Sequence, residues 1–309
     1  MAEKRRDIEM KKMSKKMVSL FLALLMIFSM ATVVAESNTI TVTDMFGREV
    51  LIEGPVTRIV VMEPGDCEIL YALGCGDALV GRGLYCDYPA EVLDVPALQS
   101  GKNTNLEEIL ALNPQVVITS DMDHSVEQVE MLEENGVRVI VTEADSLEEV
   151  YVNIRLIGQI MGKDAEAEKL VLEMQTTFAE ISSKSEKSEK TVYFEVMPLE
   201  WGLWSAGTHT FMHELAEICG MKNAFADIEG WQAISQEQVI ERNPDYIVLV
   251  TGMGETAAEE VLGRAGWGDI TAIRNGAVYN ADSYAMTRPA PRLMEAALDL
   301  YNFLNGIAE

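Results

Sequence analysis

Basic residues, cysteines, histidines and long apolar runs are all scarce in this 309-residue chain, and each shortage excludes something. Lys and Arg together number 24 against 50 Asp and Glu, giving a net charge of −26. A surface that acidic repels nucleic acid and gains nothing at an anionic lipid face. The four cysteines, Cys67, Cys75, Cys86 and Cys219, form no CxxC pair. That spacing excludes both a zinc knuckle and the dense framework of a small disulfide scaffold. An oxidising compartment would permit one disulfide, but the spacing does not select it; otherwise the thiols read as small core residues. There are only three histidines, His124, His209 and His213, and no HExxH. GxSxG, Walker A and strand-linked GxGxxG motifs are also missing, so an exported α/β enzyme is the reading with least support.

One apolar run does occur, at residues 18–30, preceded by Lys4, Arg5, Arg6, Lys11, Lys12, Lys15 and Lys16 and followed by Val33-Val34-Ala35. A basic stretch, a short apolar stretch and a small-residue stop describe a secretory signal, expected over residues 1–35. At 13 residues the run is short of the ~20 that span a bilayer, although an uncleaved anchor is the alternative. Cleavage leaves 274 residues with a charge of about −30, long enough for two lobes. Such a protein is expected outside the cytoplasm, periplasmic or at the cell surface. The first cysteine is Cys67, so no lipid-modified N-terminal Cys is indicated.

Short β-branched runs alternate with helical periodicity from residue 58 onward. Strands are expected at 58–61, 115–119 and 137–141, with helices at 67–73, 106–112 and 126–135; a hairpin over 39–52 precedes them. That order implies parallel βαβ units. Two amphipathic helices follow, at 146–161 and 164–185. The second has no Pro or Gly and extends roughly 33 Å, enough to join two lobes. The alternation then resumes, with strands at 191–196 and 246–250 and helices at 210–219 and 292–304. The domain reading is an N-terminal lobe at 36–163, a linker at 164–188 and a C-terminal lobe at 189–309. The fold class is α/β: two Rossmann-like lobes, one long connecting helix, and a ligand cleft between the lobes.

An internal repeat supports this division. NLEEILALNPQVVI at 105–118 and SQEQVIERNPDYIVL at 235–249 each read as a polar start, an amphipathic helix, an Asn-Pro stop and a buried strand. Glu107 and Glu237 share the third position. Aromatics gather where loops are expected: Tyr85 and Tyr88, Trp201 and Trp204, Trp231, and Tyr284 with Arg288 close by. Large rings in loops point to a flat apolar ligand or an inter-lobe contact. The His209/His213 pair has metal-ligand spacing if both lie on a helix, and is the weak candidate for a metal site. The alternative is polar residues at a helix start.

The phrases TDMFGREV, ALGCGDALVGR, YCDYP, the two repeat units, GTHTFMHELAEICGMKNAF and RPAPR run in order along the chain. In them the chain resembles the periplasmic-binding proteins with a rigid helical linker that serve importers of iron–siderophores, haem and vitamin B12. The resemblance implies a monomeric ABC-importer component with no cofactor of its own. Its ligand would be a metal chelate, and its partner a permease dimer in the membrane. It implies Glu107 and Glu237 as permease-docking carboxylates, one per lobe, and places Tyr85, Trp231 and Arg288 along the cleft. The ligand set becomes Tyr85, Trp201, Trp204, Trp231, Tyr284 and Arg288. A disulfide partner for Cys219 is missing, since Tyr301 stands at its place. Arg82, Lys102 and Arg288 are the few candidate cleft bases, too few for a carboxylate or catecholate siderophore. A corrinoid ranks first, then a ferric siderophore and haem; Tyr85, Tyr284 and His209 are candidate axial ligands for haem. A ligand-sensing module is the remaining alternative.

Overall fold

Two parallel sheets laid out on one plan organise the chain. The computed structural model describes residues 38–120, 125–254 and 256–307. Residues 1–39 form one unit and 40–309 another, and the second holds all described residues except 38 and 39. The expected signal at 1–35 and His124 lie outside the described residues.

Strands β1 (Asn38–Thr43) and β2 (Glu49–Gly54) pair as expected. The TDMFGREV phrase is the turn between them. Asp44 Oδ1 accepts from the Phe46 and Arg48 amides at 3.1 and 2.9 Å, and Oδ2 accepts from Arg48 Nε at 2.8 Å. The same guanidinium donates to the Val139 carbonyl at 2.8 Å, which ties the turn to the first large sheet.

That sheet contains β3 (Ile59–Val61), β4 (Leu79–Gly83), β5 (Ala97–Leu98), β6 (Val116–Ser120) and β7 (Arg138–Thr142), in the order β5-β4-β3-β6-β7, every pair parallel. Between them run α1 (Pro64–Ala72), α2 (Leu106–Ala111) and α3 (Val126–Glu134). Periodicity does not announce β4, because two of its five residues are glycine. Gly83 is required there: a Cβ would collide with the Met62 carbonyl.

After the sheet come α4 (Leu147–Met161) and α5 (Asp164–Lys184). The first is stopped by Gly162 in the left-handed region at φ 65°, a position that favours glycine. The second is the expected linker helix. Its buried residues Ala167, Val171, Met174, Phe178 and Ile181 recur every three or four positions and form one apolar stripe.

The second sheet contains β8 (Thr191–Glu195), β10 (Lys222–Asn223), β12 (Tyr246–Leu249) and β13 (Val278–Asn280), in the parallel order β10-β8-β12-β13. A small antiparallel pair, β9 (Trp204–Ala206) and β11 (Trp231–Ala233), stands beside it. The helices here are α6 (Phe211–Ile218), α7 (Gln236–Arg242), α8 (Ala257–Leu262), α9 (Thr271–Arg274), α10 (Ser283–Thr287) and α11 (Leu293–Leu304). The linker helix α5 packs against α4, α6 and α11.

Without β5, the first sheet reads β4-β3-β6-β7, the same connectivity as β10-β8-β12-β13. The sequence repeat is the α2–β6 and α7–β12 units of this shared plan. Asn113 and Asn243 end the two helices with φ of 49° and 45°, left-handed positions that asparagine tolerates. The residue after each proline then caps the neighbouring first strand. Gln115 Oε1 accepts from the Thr57 amide at 2.8 Å, and Asp245 Oδ2 accepts from the Thr191 amide at 2.9 Å. All four cysteines are free and buried. Cys219 Sγ donates to the Ala297 carbonyl on α11 at 3.6 Å, one helical turn before Tyr301.

Candidate functional site

In a doubly wound sheet the connections leaving the carboxyl ends of the strands diverge where the order reverses, and a crevice opens there. In the second sheet that point lies between β8 and β12. A cavity of about 370 Å³ occupies it, lined by Glu195 and Leu249 at the two strand ends, by residues 198–200, by Thr251, Met253 and Thr256, and by α8. Two of the carboxylates that line it, Glu195 and Glu260, belong to an ion cluster. Arg264 donates to Glu195 through Nη1 and Nη2 at 2.7 and 2.9 Å, and to Glu260 through Nε at 3.1 Å. Burial pushes the Glu195 carboxyl up, opposed by the Arg264 hydrogen bonds and charge.

Five of the six expected ligand residues leave carboxyl ends of strands. Tyr85 follows β4, Trp201 and Trp204 lie in the excursion after β8, and Tyr284 and Arg288 follow β13. Tyr85, Trp201 and Tyr284 are 65%, 67% and 54% exposed, unusual for rings of this size. Trp201 directly follows Glu200 on the cavity rim. Met253 and Met197 are also exposed near these strand ends, whereas Met286 is fully buried core.

Arg288 does not present a free charge. Its Nη1 donates to Glu68 at 3.1 Å and Asp87 at 2.6 Å, its Nη2 donates to the Tyr85 carbonyl at 3.1 Å, and its plane lies 4.3 Å over the Tyr284 ring. Arg292 grips the same Glu68 through Nε and Nη2 at 2.8 and 2.6 Å and lies 4.1 Å over Tyr88. Two arginines from the second lobe thus clamp α1 and the YCDYP loop of the first. Arg288 thus pairs with carboxylates and stacks on a ring at the same time. Arg82, a second candidate base, is also engaged. It donates from Nε to Val95 O and from Nη1 to the carbonyls of Gly83, Leu84 and Cys86. Nothing is described of the Lys102 side chain.

Trp231 is engaged across the two halves of the chain. Its Nε1 donates to Asp145 Oδ1 at 2.8 Å, and its ring meets Phe211 edge-on at 5.3 Å. Nearby, the Leu147 amide donates to Glu214 Oε2 at 2.7 Å, and the Phe211 amide donates to the Asp145 carbonyl. Trp231 therefore braces the start of α4 against the start of α6. The partner is 86 residues away, so no local pattern could have shown this.

The histidine pair also separates. His209 precedes α6 in the left-handed region at φ 60°, and Thr210 caps the helix by accepting from the His213 amide. His209 Nδ1 stands 3.8 Å from Glu229, while His213 Nε2 stands 3.6 Å from Glu217. The two rings do not share a helical face, and among the described residues no group of three or more His, Cys, Asp or Glu is placed to hold a metal ion.

Glu107 and Glu237 are exposed in the first turns of α2 and α7, and neither forms an ion pair among the described residues. Helices in a βαβ unit run opposite to their strands, so both first turns lie at the carboxyl edge of their sheet, the edge from which the aromatic loops emerge. The helix-terminal amide of Glu237 itself, then the Ser235 hydroxyl, hold the Glu237 carboxyl below its ordinary range.

One buried acid beside the clamp sets a pH dependence. Burial pushes the Asp66 carboxyl up to about 6, although Thr142 Oγ1 at 2.7 Å and Asn153 Nδ2 at 2.6 Å donate to it and pull the other way. The native state therefore binds this proton more tightly than the unfolded chain. Its contribution favours folding below about pH 4 and is lost as the pH rises through about 6. In Asp66→Asn the Thr142 hydroxyl can accept from the new amide and donate to Thr119 O, 3.3 Å away. The variant is expected to match the wild type at pH 4 and exceed it by on the order of 2–3 kcal/mol at pH 7.5. Urea midpoints at the two pH values check this; a constant difference between the proteins would remove Asp66 as the source.

Comparison with known proteins agrees with this geometry. The family profile described as periplasmic binding protein matches residues 59–285. An uncharacterized ABC transporter substrate-binding lipoprotein of Bacillus subtilis is 35% identical over 268 residues, 84% of either chain. A vitamin B12-binding protein of Vibrio parahaemolyticus is 27% identical, covering 82% of this chain and 91% of its own. Among solved structures, the apo periplasmic heme-binding protein of Roseiflexus sp. RS-1 superposes with a TM-score of 0.73 at 25% identity, over 82% of this chain and all of that one. These relatives are binding proteins. Taken with the paired doubly wound lobes, the linker helix and the site at the strand ends, they establish that the chain belongs to the periplasmic binding protein family, as a substrate-binding protein of the ABC-transporter type.

Proposed function

We propose that this substrate-binding protein works as an exported monomer that holds a flat, largely apolar metal chelate between its lobes and hands it to a permease dimer in the membrane. The observation that carries the reading is the set of exposed rings, Tyr85, Trp201, Trp204 and Tyr284, on segments that follow strand carboxyl ends, together with a cavity at the reversal point of the second sheet. Exposed rings cost solvation unless a flat partner covers them. Cobalamin or another corrinoid is the first choice, in keeping with the vitamin B12-binding relative. A ferric siderophore and haem follow; for haem, Tyr85, Tyr284 and His209 are the candidate axial ligands, and Tyr85 is the more exposed of the two phenols.

Titration of the purified protein with cyanocobalamin, haemin and ferric desferrioxamine, read by absorption and tryptophan fluorescence, tests the proposal. At least one is expected to bind, and Trp201→Ala and Tyr85→Ala are each expected to weaken it about tenfold, the worth of one aromatic stack. Both side chains are mostly exposed, so the variants should stay folded. Binding of none of the three would overturn the reading.

A further inference from the structure

Charge at the site narrows the ligand further. The described arginines around the cleft are all engaged. Arg288 and Arg292 share Glu68 and are further flanked by Asp87 and Asp282, so three carboxylates face two guanidinium groups. Arg82 is turned onto backbone carbonyls. In the cavity of the second lobe, Arg264 faces both Glu195 and Glu260, which leaves one negative charge in excess. Glu200 on the rim adds a second; it is exposed and forms no ion pair or hydrogen bond among the described residues.

A carboxylate entering this cavity would meet like charge, with no Lys or Arg among the described lining residues to receive it. An amide or hydroxyl meets the opposite situation. Its N–H or O–H can donate to Glu200, and the Thr251 and Thr256 hydroxyls offer donors and acceptors, while Leu249 and Val261 cover its apolar stem. The volume of about 370 Å³ lies within the range of small-molecule sites.

Building on the chelate-binding reading above, we infer that the site selects a chelate without anionic arms, and that the cavity beside Glu200 takes one uncharged, amide- or hydroxyl-bearing arm of it. Two pairs of probes test that charge: haemin, with two propionates, against its dimethyl ester, and cyanocobalamin against its monocarboxylic acid. In whichever pair binds, the uncharged member is expected to bind about tenfold more tightly at pH 7.5 and low salt. Glu200→Lys, a surface change checked for folding by circular dichroism, is expected to narrow or invert that preference. Equal affinity within the pairs, tighter binding of the acids, or a preference untouched by Glu200→Lys would overturn the charge inference while leaving chelate binding intact. Failure of all four probes would overturn the charge inference, and failure of ferric desferrioxamine as well would overturn both.

Discussion

Glu68→Ala is expected to cost about 3–5 kcal/mol of stability, the range for removing one partner from a buried, hydrogen-bonded ion pair. The Glu68 side chain is 2% exposed and accepts three guanidinium hydrogen bonds, one from Arg288 and two from Arg292. Without it Arg288 keeps Asp87 and the Tyr85 carbonyl, but Arg292 keeps only Asp282 at 3.7 Å and the Tyr88 ring. Arg292 is therefore the stranded charge. Glu68→Ala with Arg292→Met should recover part of the loss, because the double change removes the stranded cation as well as its partner. Urea denaturation of the single and double variants measures this. A single variant within 1 kcal/mol of wild type, far below the expected range, would show that the clamp does not hold the lobes. Hydrogen exchange should rise at 62–68 and 288–292 in Glu68→Ala, since both ends of the clamp lose their anchor.

The second large effect is functional. Glu107→Ala with Glu237→Ala is expected to leave chelate affinity within about twofold of wild type, while uptake through the permease falls to about a hundredth. Each carboxylate is exposed, fixed on a helix first turn and presented at the carboxyl edge of its own lobe. A partner with two correspondingly placed arginines would gain orientation as well as attraction from the pair, so losing both is worse than losing either. Single variants should lose about tenfold each. Uptake assayed in vesicles containing the permease, beside ligand titration of the same proteins, separates docking from binding. Unimpaired uptake by the double variant would remove these residues from the interface.

Features carried by local chemistry are legible in the order of residues alone. The linker helix shows as an uninterrupted amphipathic stretch, because its buried stripe repeats with the helical period. The two Asn-Pro stops mark equivalent places because only a few residues tolerate a left-handed turn before proline. Glycine-rich β4 and three-residue β13 carry too little periodicity to be seen. In the site, the exposed loop aromatics are legible because large rings in connecting segments are unusual. Of the two readings of the histidine pair, the helix start is the one the fold shows, since the Thr210 cap starts α6 only after His209.

The sequence by itself determined the alternating α/β order, the repeated half, the joining helix and the acidic character of the molecule, all set by composition or by neighbours within a few residues. Only the tertiary structure decided what the charged and aromatic side chains do. Arg288 finds Glu68 across 220 positions, Trp231 finds Asp145 across 86, and Arg264 finds Glu195 across 69. An ion pair or an indole hydrogen bond leaves no periodic trace, because its partner is chosen by how the sheets stack in space. The arginines that the sequence makes available to a ligand are thus, in the fold, already holding the protein together.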